Sequence, residues 1–546
     1  MSNALMSGVT GLRVHQTMLD VAGNNLANIN TYGFKGSRVT FAELLSETMR
    51  EATQPGTGTG GTNPQQVGSG VTVASVDRNM AQGNVANTGQ ALDMAIDGAG
   101  YFALNDGEQD VFTRVGHFAV DGQYYLVDPG TGYRVQRIGN EGVAEGFQDA
   151  TADSIRIPYD VALPAHATQN VVFAGNLSAD AVSPTVNLLT SGVQYTEGGA
   201  VAAQSALLSN LDQTSGVVAG NTLRIQGTDR AGNAVDQTFT LLAGSTLGDL
   251  IDAISAEFSG STASLSSGEI RLTDDVTGYS QTDLYLSYSG AGSFELPNYF
   301  KLVSAGGEET KTSNIEVYDS QGIGHVMSVA FARTDEPNTW DMVLTSITGD
   351  VLIEDRRVKG LTFGRDGSFT GLGGAVPDAA TLTFRFGGPA GDVASVNMGF
   401  GTIGEFDGLS QFGGASTGSA SNQDGYEAGY LSSLSVSREG VLVGMFTNGI
   451  RRDVAALKIA AFQNAAGLTS VGGGYFEASA NSGSPVATKA LAGGAGSLTG
   501  GSLELSNVEV AQEFVNLIQA QNGYQANART IRVTNDMLKE LSNLIR

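Results

Sequence analysis

The residues of this chain that could do chemistry are few and lie far apart. Gly414–Gly418 (GASTG) matches the G-x-S-x-G motif of a serine nucleophile, but that motif needs a strand before it and a helix after it, and glycine- and serine-rich sequence surrounds it here. Gly56, Gly58 and Gly61 match a phosphate-binding G-x-G-x-x-G motif, yet no predicted strand precedes them. Both motifs are predicted to be loops, and we expect no catalytic or cofactor-binding residue.

Residue types that bind metals are also scattered. The four histidines lie in four different segments without the close spacing of a zinc site: His15, His117, His166 and His325. The acidic runs at 106–110 and 273–283 lack the calcium-loop pattern, and the absence of cysteine excludes disulfides and thiolate sites. We therefore predict no metal site. His15 falls on a predicted helical seam, where a charge gained near pH 6.5 would weaken helix association.

Composition restricts the class of protein. A chain of 546 residues needs several domains, and 75 glycines with only 11 prolines and 41% apolar residues are typical of many short strands joined by tight turns. The net charge of −26 argues against nucleic-acid and membrane partners and favours proteins, beginning with other copies of the chain. Residues 1–30 lack the features of a cleaved signal, so we expect export by another route.

Both ends of the chain carry a seven-residue apolar repeat, which predicts helices that wind around other helices. In the first segment, leucines recur every seven residues and a second set follows three positions later: Leu5, Leu12, Leu19 and Leu26, with Gly8, His15, Ala22 and Ile29. The last segment keeps the same interval: Val510, Leu517, Tyr524, Ile531, Leu538 and Ile545, with Phe514, Gln521, Ala528, Asn535 and Ser542. Helices are predicted from about residue 3 to 30 and from about 506.

Two arrangements of these helices fit the repeat. One is a two-helix stalk inside a single subunit, and the other is a helical layer that becomes ordered only when copies assemble. The second is favoured because the faces away from the seam carry neutral amides rather than charges, and because Gly8, Gly23 and Gly523 each disfavour an isolated helix by about 1 kcal/mol.

The predicted fold class is α+β and mainly β, with a coiled-coil layer made by both termini, successive β-rich domains and an inserted α+β module. A short helix is predicted at about 40–50, a flexible stretch at 54–70, and a single helix in the insertion at TLGDLIDAISAEF. The predicted parts are a helical domain (1–35 and 506–546), a connecting segment (36–70), an inner β-domain (71–157 and 425–505), an outer β-domain (158–182 and 300–424) and the insertion (183–299).

Two terminal motifs resemble a known family. NNLANINTYGFK (24–35) and YQANARTIRVTNDMLKELSNL (524–544) are similar to the signatures of flagellar rod and hook axial proteins, and segments such as NIEVYDSQGIGHVMSVAFAR resemble its hook members. The insertion is not covered. One departure is Asn522 followed by Gly523 where the family commonly has arginine, so an ion pair made by that arginine is not carried over.

The resemblance implies a structural subunit of the bacterial flagellar hook, a curved tube that transmits torque as a universal joint. Implied partners are further copies of the chain, the distal rod, the hook cap, the hook–filament junction protein and the flagellar type III export apparatus, at an extracellular location. The alternatives are another axial subunit such as the distal rod, or a hook subunit whose insertion has an adhesive role. The implied assembly residues are Leu5, Leu12, Leu19, Asn24, Asn25, Leu26, Asn28, Asn30, Thr31, Gly33, Phe34, Lys35, Phe514, Leu517, Tyr524, Gln525, Ala526, Asn527, Ile531, Met537 and Leu538.

Overall fold

The chain is an α+β protein made mainly of strands, as predicted. The computed structural model describes residues 2–180, 182–373, 380–388 and 391–544. Within these residues there are three α-helices: α1 (Ser2–Ala27), α2 (Leu247–Glu257) and α3 (Val510–Leu544). The chain divides into two compact units, of which unit 1 comprises residues 1–163 with 429–546 and unit 2 comprises residues 164–428.

Unit 1 contains both terminal helices, a 3₁₀ turn (Ala465–Gly467) and a set of antiparallel sheets. Its largest sheet is centred on the strand Tyr101–Asn105, which pairs with strands from both halves of the unit and packs Phe112, Ala460 and Phe476 into one core. The first four strands are β1 (Ser37–Glu43), β2 (Ser46–Arg50), β3 (Gln65–Gly68) and β4 (Val71–Arg78). The others are Val85–Asn87, Met94–Asp97, Tyr101–Asn105, Asp110–Thr113, Ala119–Val120, Leu126–Val127, Arg134–Val135, Leu431–Val436, Val441–Phe446, Arg451–Ala456, Ile459–Ala461, Thr469–Gly472, Tyr475–Glu477, Val486–Thr488, Ser497–Gly500 and Ser502–Glu504.

The helix predicted at 40–50 is wrong. β1 pairs antiparallel with β4, and β2 pairs antiparallel with β3, so this region is an arm of two successive two-stranded pairs rather than a helix. Pairing with a strand about 30 residues away was invisible to a local periodicity argument, and such pairing overrides a weak helical pattern. The stretch predicted to be flexible is partly strand, and Thr53 bridges Thr62 across its turn.

Unit 2 contains α2 and the remaining strands. The helix predicted in the insertion is confirmed: Thr246 caps it, with a reciprocal bond from the Thr246 N–H to Asp249, and its inner face buries Leu250 and Ile254. The strands are Asn170–Ser178, Leu188–Thr190, Thr196–Glu197, Ala200–Val201, Thr214–Ser215, Thr222–Thr228, Ala234–Thr240, Ser261–Ser266, Glu269–Asp274, Asp283–Ser289, Ser293–Phe294, Lys301–Ser304, Thr310–Tyr318, Gly324–Arg333, Thr339–Ile347, Val351–Asp355, Arg357–Phe363, Phe369–Leu372, Thr381–Phe386, Asp392–Gly399, Leu409–Phe412 and Ser419–Gln423, with a 3₁₀ turn at Leu208–Asn210.

The predicted insertion shares its core with the neighbouring sheet of unit 2. Its buried cluster includes Ala330, Ala332 and Val343, which belong to strands outside residues 183–299. A buried ion pair also crosses this boundary, because Arg356 Nη1 lies 2.8 Å from Asp283 Oδ1. A buried charge is costly without its partner, so the two segments depend on each other.

Candidate assembly interface

The two terminal helices contact each other within one chain and run antiparallel. Gly8 faces Ile531, and three residues further along α1, Gly11 faces Asn527, four residues earlier in α3. The helices approach so closely that a methyl group at Gly8 would lie 2.9 Å from Ile531 Cγ1, and one at Gly11 would lie 2.6 Å from Asn527 Oδ1. Glycines in α1 therefore set the spacing of the pair. This is the arrangement of the two-helix alternative.

The glycine that follows Asn522 has a structural reason. A methyl group at this position would lie 2.4 Å from Cε1 of His15, so the imidazole occupies the space that a side chain would need. Asn522, the neighbour of Gly523, points to the exposed side. The family's arginine corresponds to Asn522 and would project from the exposed side of α3, whereas His15 and Gly523 form a matched pair in the seam.

The buried stripe of α1 is one half of the predicted seam. The leucine set is only half-buried, whereas residues of the second set and their neighbours are buried: Gly8, Gly11, Val14, Ala22 and Asn25. On α3 the buried positions are Ala520 and Thr534. A seven-residue interval indicates a seam but does not say which of two adjacent stripes meets the partner. In this chain the small residues determine which stripe of α1 faces α3, because they allow the two helices to approach most closely.

An exposed apolar face lies on the first turns of α3. Ile518 is 57% exposed and Phe514 is 50% exposed, and Val510 and Val515 complete this face. Further along the helix, the exposed large apolar residues are Tyr524, Val533, Met537, Leu538 and Leu541. Among the large apolar residues of α1, Met6 alone is in this class. Scattered exposed apolar residues are ordinary, but four large ones on adjacent turns of one helix face indicate a protein partner.

The predicted seam of α3 divides between the two faces. Leu517, Asn527 and Ile531 are half-buried, and Asn527 and Ile531 lie against glycines of α1. Phe514 belongs to the exposed apolar face, and five further predicted residues are exposed elsewhere on α3: Tyr524, Gln525, Ala526, Met537 and Leu538. Ile545 lies outside the described residues.

Asn25 joins three elements at the C-terminal end of α1. Its side-chain amide donates to the Ser37 carbonyl of β1 at 2.7 Å and to Glu513 Oε1 of α3 at 3.1 Å, while the Ser37 N–H donates to Asn25 Oδ1 at 2.9 Å. Glu513 lies in the first turn of α3, where a negative charge is favoured by the helix dipole. A neutral amide can donate and accept at once, which a charged side chain in this position could not do.

The other asparagines of the motif close the end of α1. Asn28 donates to the Asn24 carbonyl at 3.0 Å, and Thr31 Oγ1 donates to Asn28 Oδ1 at 3.2 Å. The first bond adds a donor to a backbone carbonyl in the last helical turn, and the second holds the Asn28 side chain in place. Asn24, Asn30 and Thr31 are exposed, so their outer surfaces are available to a partner.

The end of the N-terminal motif is fixed by a buried ion cluster. Lys35 Nζ lies 2.6 Å from Glu504 Oε1, and Arg114 Nη1 lies 3.4 Å from Glu504 Oε2, with all three side chains at most 5% exposed. Burial lowers the pKa of Lys35, and the charge of Glu504 offsets part of that effect. Gly33 donates its N–H to the Glu504 carbonyl at 2.8 Å and has φ of +64°, which favours glycine.

Two predicted residues therefore act inside the subunit. Lys35 and Gly33 bind Glu504, and Phe34 is half-buried beside them. The sequence analysis missed Arg114 and Glu504. A lysine at the end of a nearly uncharged motif was the available signal that a buried acidic partner had to exist elsewhere.

The structure places the enzyme-like motifs in loops. GASTG is followed by the strand Ser419–Gln423 rather than by a helix, so the nucleophile geometry is absent. Across the described ranges there is no cluster of three or more metal-binding side chains. None of the described helices combines the length and the apolar character that crossing a bilayer requires.

Four family models match successive parts of the chain. They are described as flagella basal body rod protein (residues 5–35), flagellar hook protein FlgE/F/G D1 domain (95–178), flagellar basal body protein FlaE D2 domain (303–426) and flagellar basal body rod FlgEFG protein C-terminal (499–544). The first range contains most of α1, and the last range contains all of α3. The matched ranges leave out residues 179–302, which contain the predicted insertion.

Full-length relatives decide the family. The flagellar hook protein FlgE of Treponema pallidum is 30% identical, and the alignment covers 100% of both chains. The chain belongs to the flagellar hook protein FlgE family. The Borreliella burgdorferi FlgE is 29% identical over 100% of both chains. The basal-body rod protein FlgG of Bacillus subtilis is 42% identical, but that similarity covers only 28% of this chain. Similarity to FlgE thus extends through unit 2, whereas similarity to the rod protein is confined to a minor part.

Proposed function

We propose that this chain is a structural subunit of the bacterial flagellar hook that polymerises through its terminal helices. The exposed apolar face at Val510–Ile518 carries the proposal, because its side chains are exposed in the subunit and it belongs to a chain that matches FlgE proteins from end to end. The role is structural and not enzymatic. The distal-rod alternative is disfavoured by the short extent of the FlgG similarity.

The proposed mechanism is mechanical. Helices of many copies pack side by side into a tube, so that the apolar faces of α3 are buried between neighbouring subunits, and the bent tube transmits torque from rod to filament. The partners are other copies first, and then the distal rod, the hook cap and the hook–filament junction protein at the tube ends. The proposed location is extracellular, after delivery by the flagellar type III export apparatus without a cleaved signal.

A single substitution tests the assembly surface. Ile518→Asp places a charge on the exposed apolar face, where a partner would have to bury it, so polymerisation should be lost. Because Ile518 is 57% exposed in the subunit, the helical circular dichroism and the thermal transition of the monomer should change little. Sedimentation and electron microscopy of the assembled protein provide the measurement.

The matched control is Ile323→Asp, which changes an isoleucine that is 54% exposed in unit 2. This variant should still form tubes of normal diameter. Normal tubes from Ile518→Asp would refute the assignment of this face.

A further inference from the structure

One end of the predicted insertion presents an uncharged surface made of three loops. The strands Thr222–Thr228, Ala234–Thr240 and Asp283–Ser289 form one antiparallel sheet, and the first strand begins where the other two end. Three loops therefore meet at this end of the sheet, and we call them the tip: residues 215–221, 241–245 and 289–293. No residue of the tip is charged.

The tip exposes apolar side chains. Val218 is 54% exposed and Leu242 is 71% exposed. The small residues around them are exposed as well: Gly216, Ala219, Gly220, Ala243, Gly244, Ala291 and Gly292. Single exposed apolar residues are ordinary, but the cores of protein interfaces are depleted of charge in the same way as this surface is.

Hydrogen bonds fix the shape of the tip. Asn221 joins the three loops, because its carbonyl accepts the Leu241 N–H at 2.9 Å and its side-chain amide donates to the Ala291 carbonyl at 2.8 Å. The Leu242 N–H donates to Ser245 Oγ at 2.9 Å within the second loop. A surface that is already ordered loses little conformational entropy when it binds a partner.

Charge indicates which partner the tip fits. The opposite end of the same sheet is charged and includes Asp229, Arg230 and Asp275, and residues 183–299 together carry 12 acidic and three basic side chains. A basic partner would be attracted to these acidic surfaces rather than to the tip. An acidic partner would be repelled by them, and contact through the tip avoids burying like charges against each other. The tip therefore fits an acidic protein, and this chain is one.

We propose that the tip docks against unit 2 of a neighbouring copy of the chain. The inference rests on the proposed function, because a polymer is what brings the copies together. In a helical polymer all copies are equivalent, so the unit 2 of each copy lies at the same distance from the axis as that of its neighbours. The contact is head-to-tail, since a tip-to-tip contact would close a pair of copies and could not continue along a row.

A photoreactive amino acid tests the contact in the assembled protein. Leu242 is replaced by p-benzoylphenylalanine, tubes are assembled and verified by electron microscopy, and illumination then cross-links the surface that touches the tip. We expect dimers on a denaturing gel, with cross-linked peptides from residues 164–428 of a second copy. The same amino acid in place of Ala231 is the matched control, because Ala231 is exposed at the charged end of the same sheet, and it should give no dimer.

An added charge tests the same surface in a second way. Val218→Asp, combined with the photoreactive amino acid at 242, should abolish the dimer while tubes persist, because the charge would have to be buried against an acidic neighbour. Ala234→Asp adds the same charge at the other end of the sheet and should leave the dimer unchanged. Both positions are exposed, so neither substitution should alter the thermal transition of the monomer.

Two kinds of failure can be told apart. Tubes that give no dimer from position 242, or dimers cross-linked only outside residues 164–428, would overturn this inference and leave the proposed function intact. Equal dimer yields from positions 242 and 231, or an undiminished yield after Val218→Asp, would overturn it as well. A chain that forms no tubes at all would refute the proposed function and this contact with it.

Discussion

At the scale of single residues, the helix pair depends on which glycines are crowded. Gly523 has no room for a methyl group because the His15 ring lies against it, whereas a methyl group at Gly23 would meet no atom within 4 Å apart from its own stretch of helix. Both glycines lie in helices, where alanine is intrinsically better by about 1 kcal/mol. The sign of a glycine-to-alanine change should therefore differ between the two sites.

We expect Gly523→Ala to weaken the pair and Gly23→Ala to strengthen it. At 523 the clash with His15 costs about 1–3 kcal/mol, which exceeds the gain in helix propensity. At 23 the gain of about 1 kcal/mol is unopposed. Thermal melting followed by helical circular dichroism measures both, and His15→Ala should restore the Gly523→Ala variant. Equal stabilisation by both alanines would show that the ring moves aside freely.

At the scale of elements, the sequence predicted the two terminal helices, α2 and the abundance of strands. Leucines every seven residues predicted α1, but they did not show that the glycine stripe beside them would form the contact. The arm β1–β4 was missed because its strands are defined by partners distant in sequence. Arg114 and Glu504 were missed for the same reason, since neither lies in a motif and only the fold brings them to Lys35.

Removal of residues 183–299 should destabilise all of unit 2. Replacing the segment with a short Gly-Ser link would uncover Ala330, Ala332 and Val343 and leave the buried Arg356 without Asp283. Loss of one partner of a buried ion pair alone costs about 3–5 kcal/mol. Calorimetry should show that the transition of unit 2 is lost or much lowered. A deletion that melts cooperatively at the parent temperature would establish the insertion as an independent module.

The whole molecule carries its charge unevenly. Of its acidic side chains, 30 lie between residues 164 and 428, where there are only 11 basic ones. Copies brought together in a polymer therefore repel one another, and salt screens this repulsion.

Assembly should accelerate as ionic strength rises. Between about 0.01 M and 0.15 M salt the screening length falls from about 30 Å to about 8 Å, so repulsion between neighbouring copies of unit 2 should weaken severalfold. Light scattering at fixed protein concentration measures the rate, with sucrose of equal osmolality as the control. A rate that falls with added salt would mean that attraction between opposite charges, rather than burial of apolar faces, holds the subunits together.

The cluster around Glu504 has a mechanical consequence. The chain leaves α1 through Gly33–Lys35 and returns toward α3 through Glu504–Asn507, and these two crossings are bonded side by side. Lys35 binds Glu504, and the Gly36 N–H donates to Asn507 Oδ1 at 2.9 Å. A twisting load applied to the helices is thus transmitted to the sheets through two chain segments that are bonded to each other, rather than through one flexible connection. The helix pair and the sheets of unit 1 should rotate as one rigid body. Bending should then occur elsewhere in the subunit or between subunits.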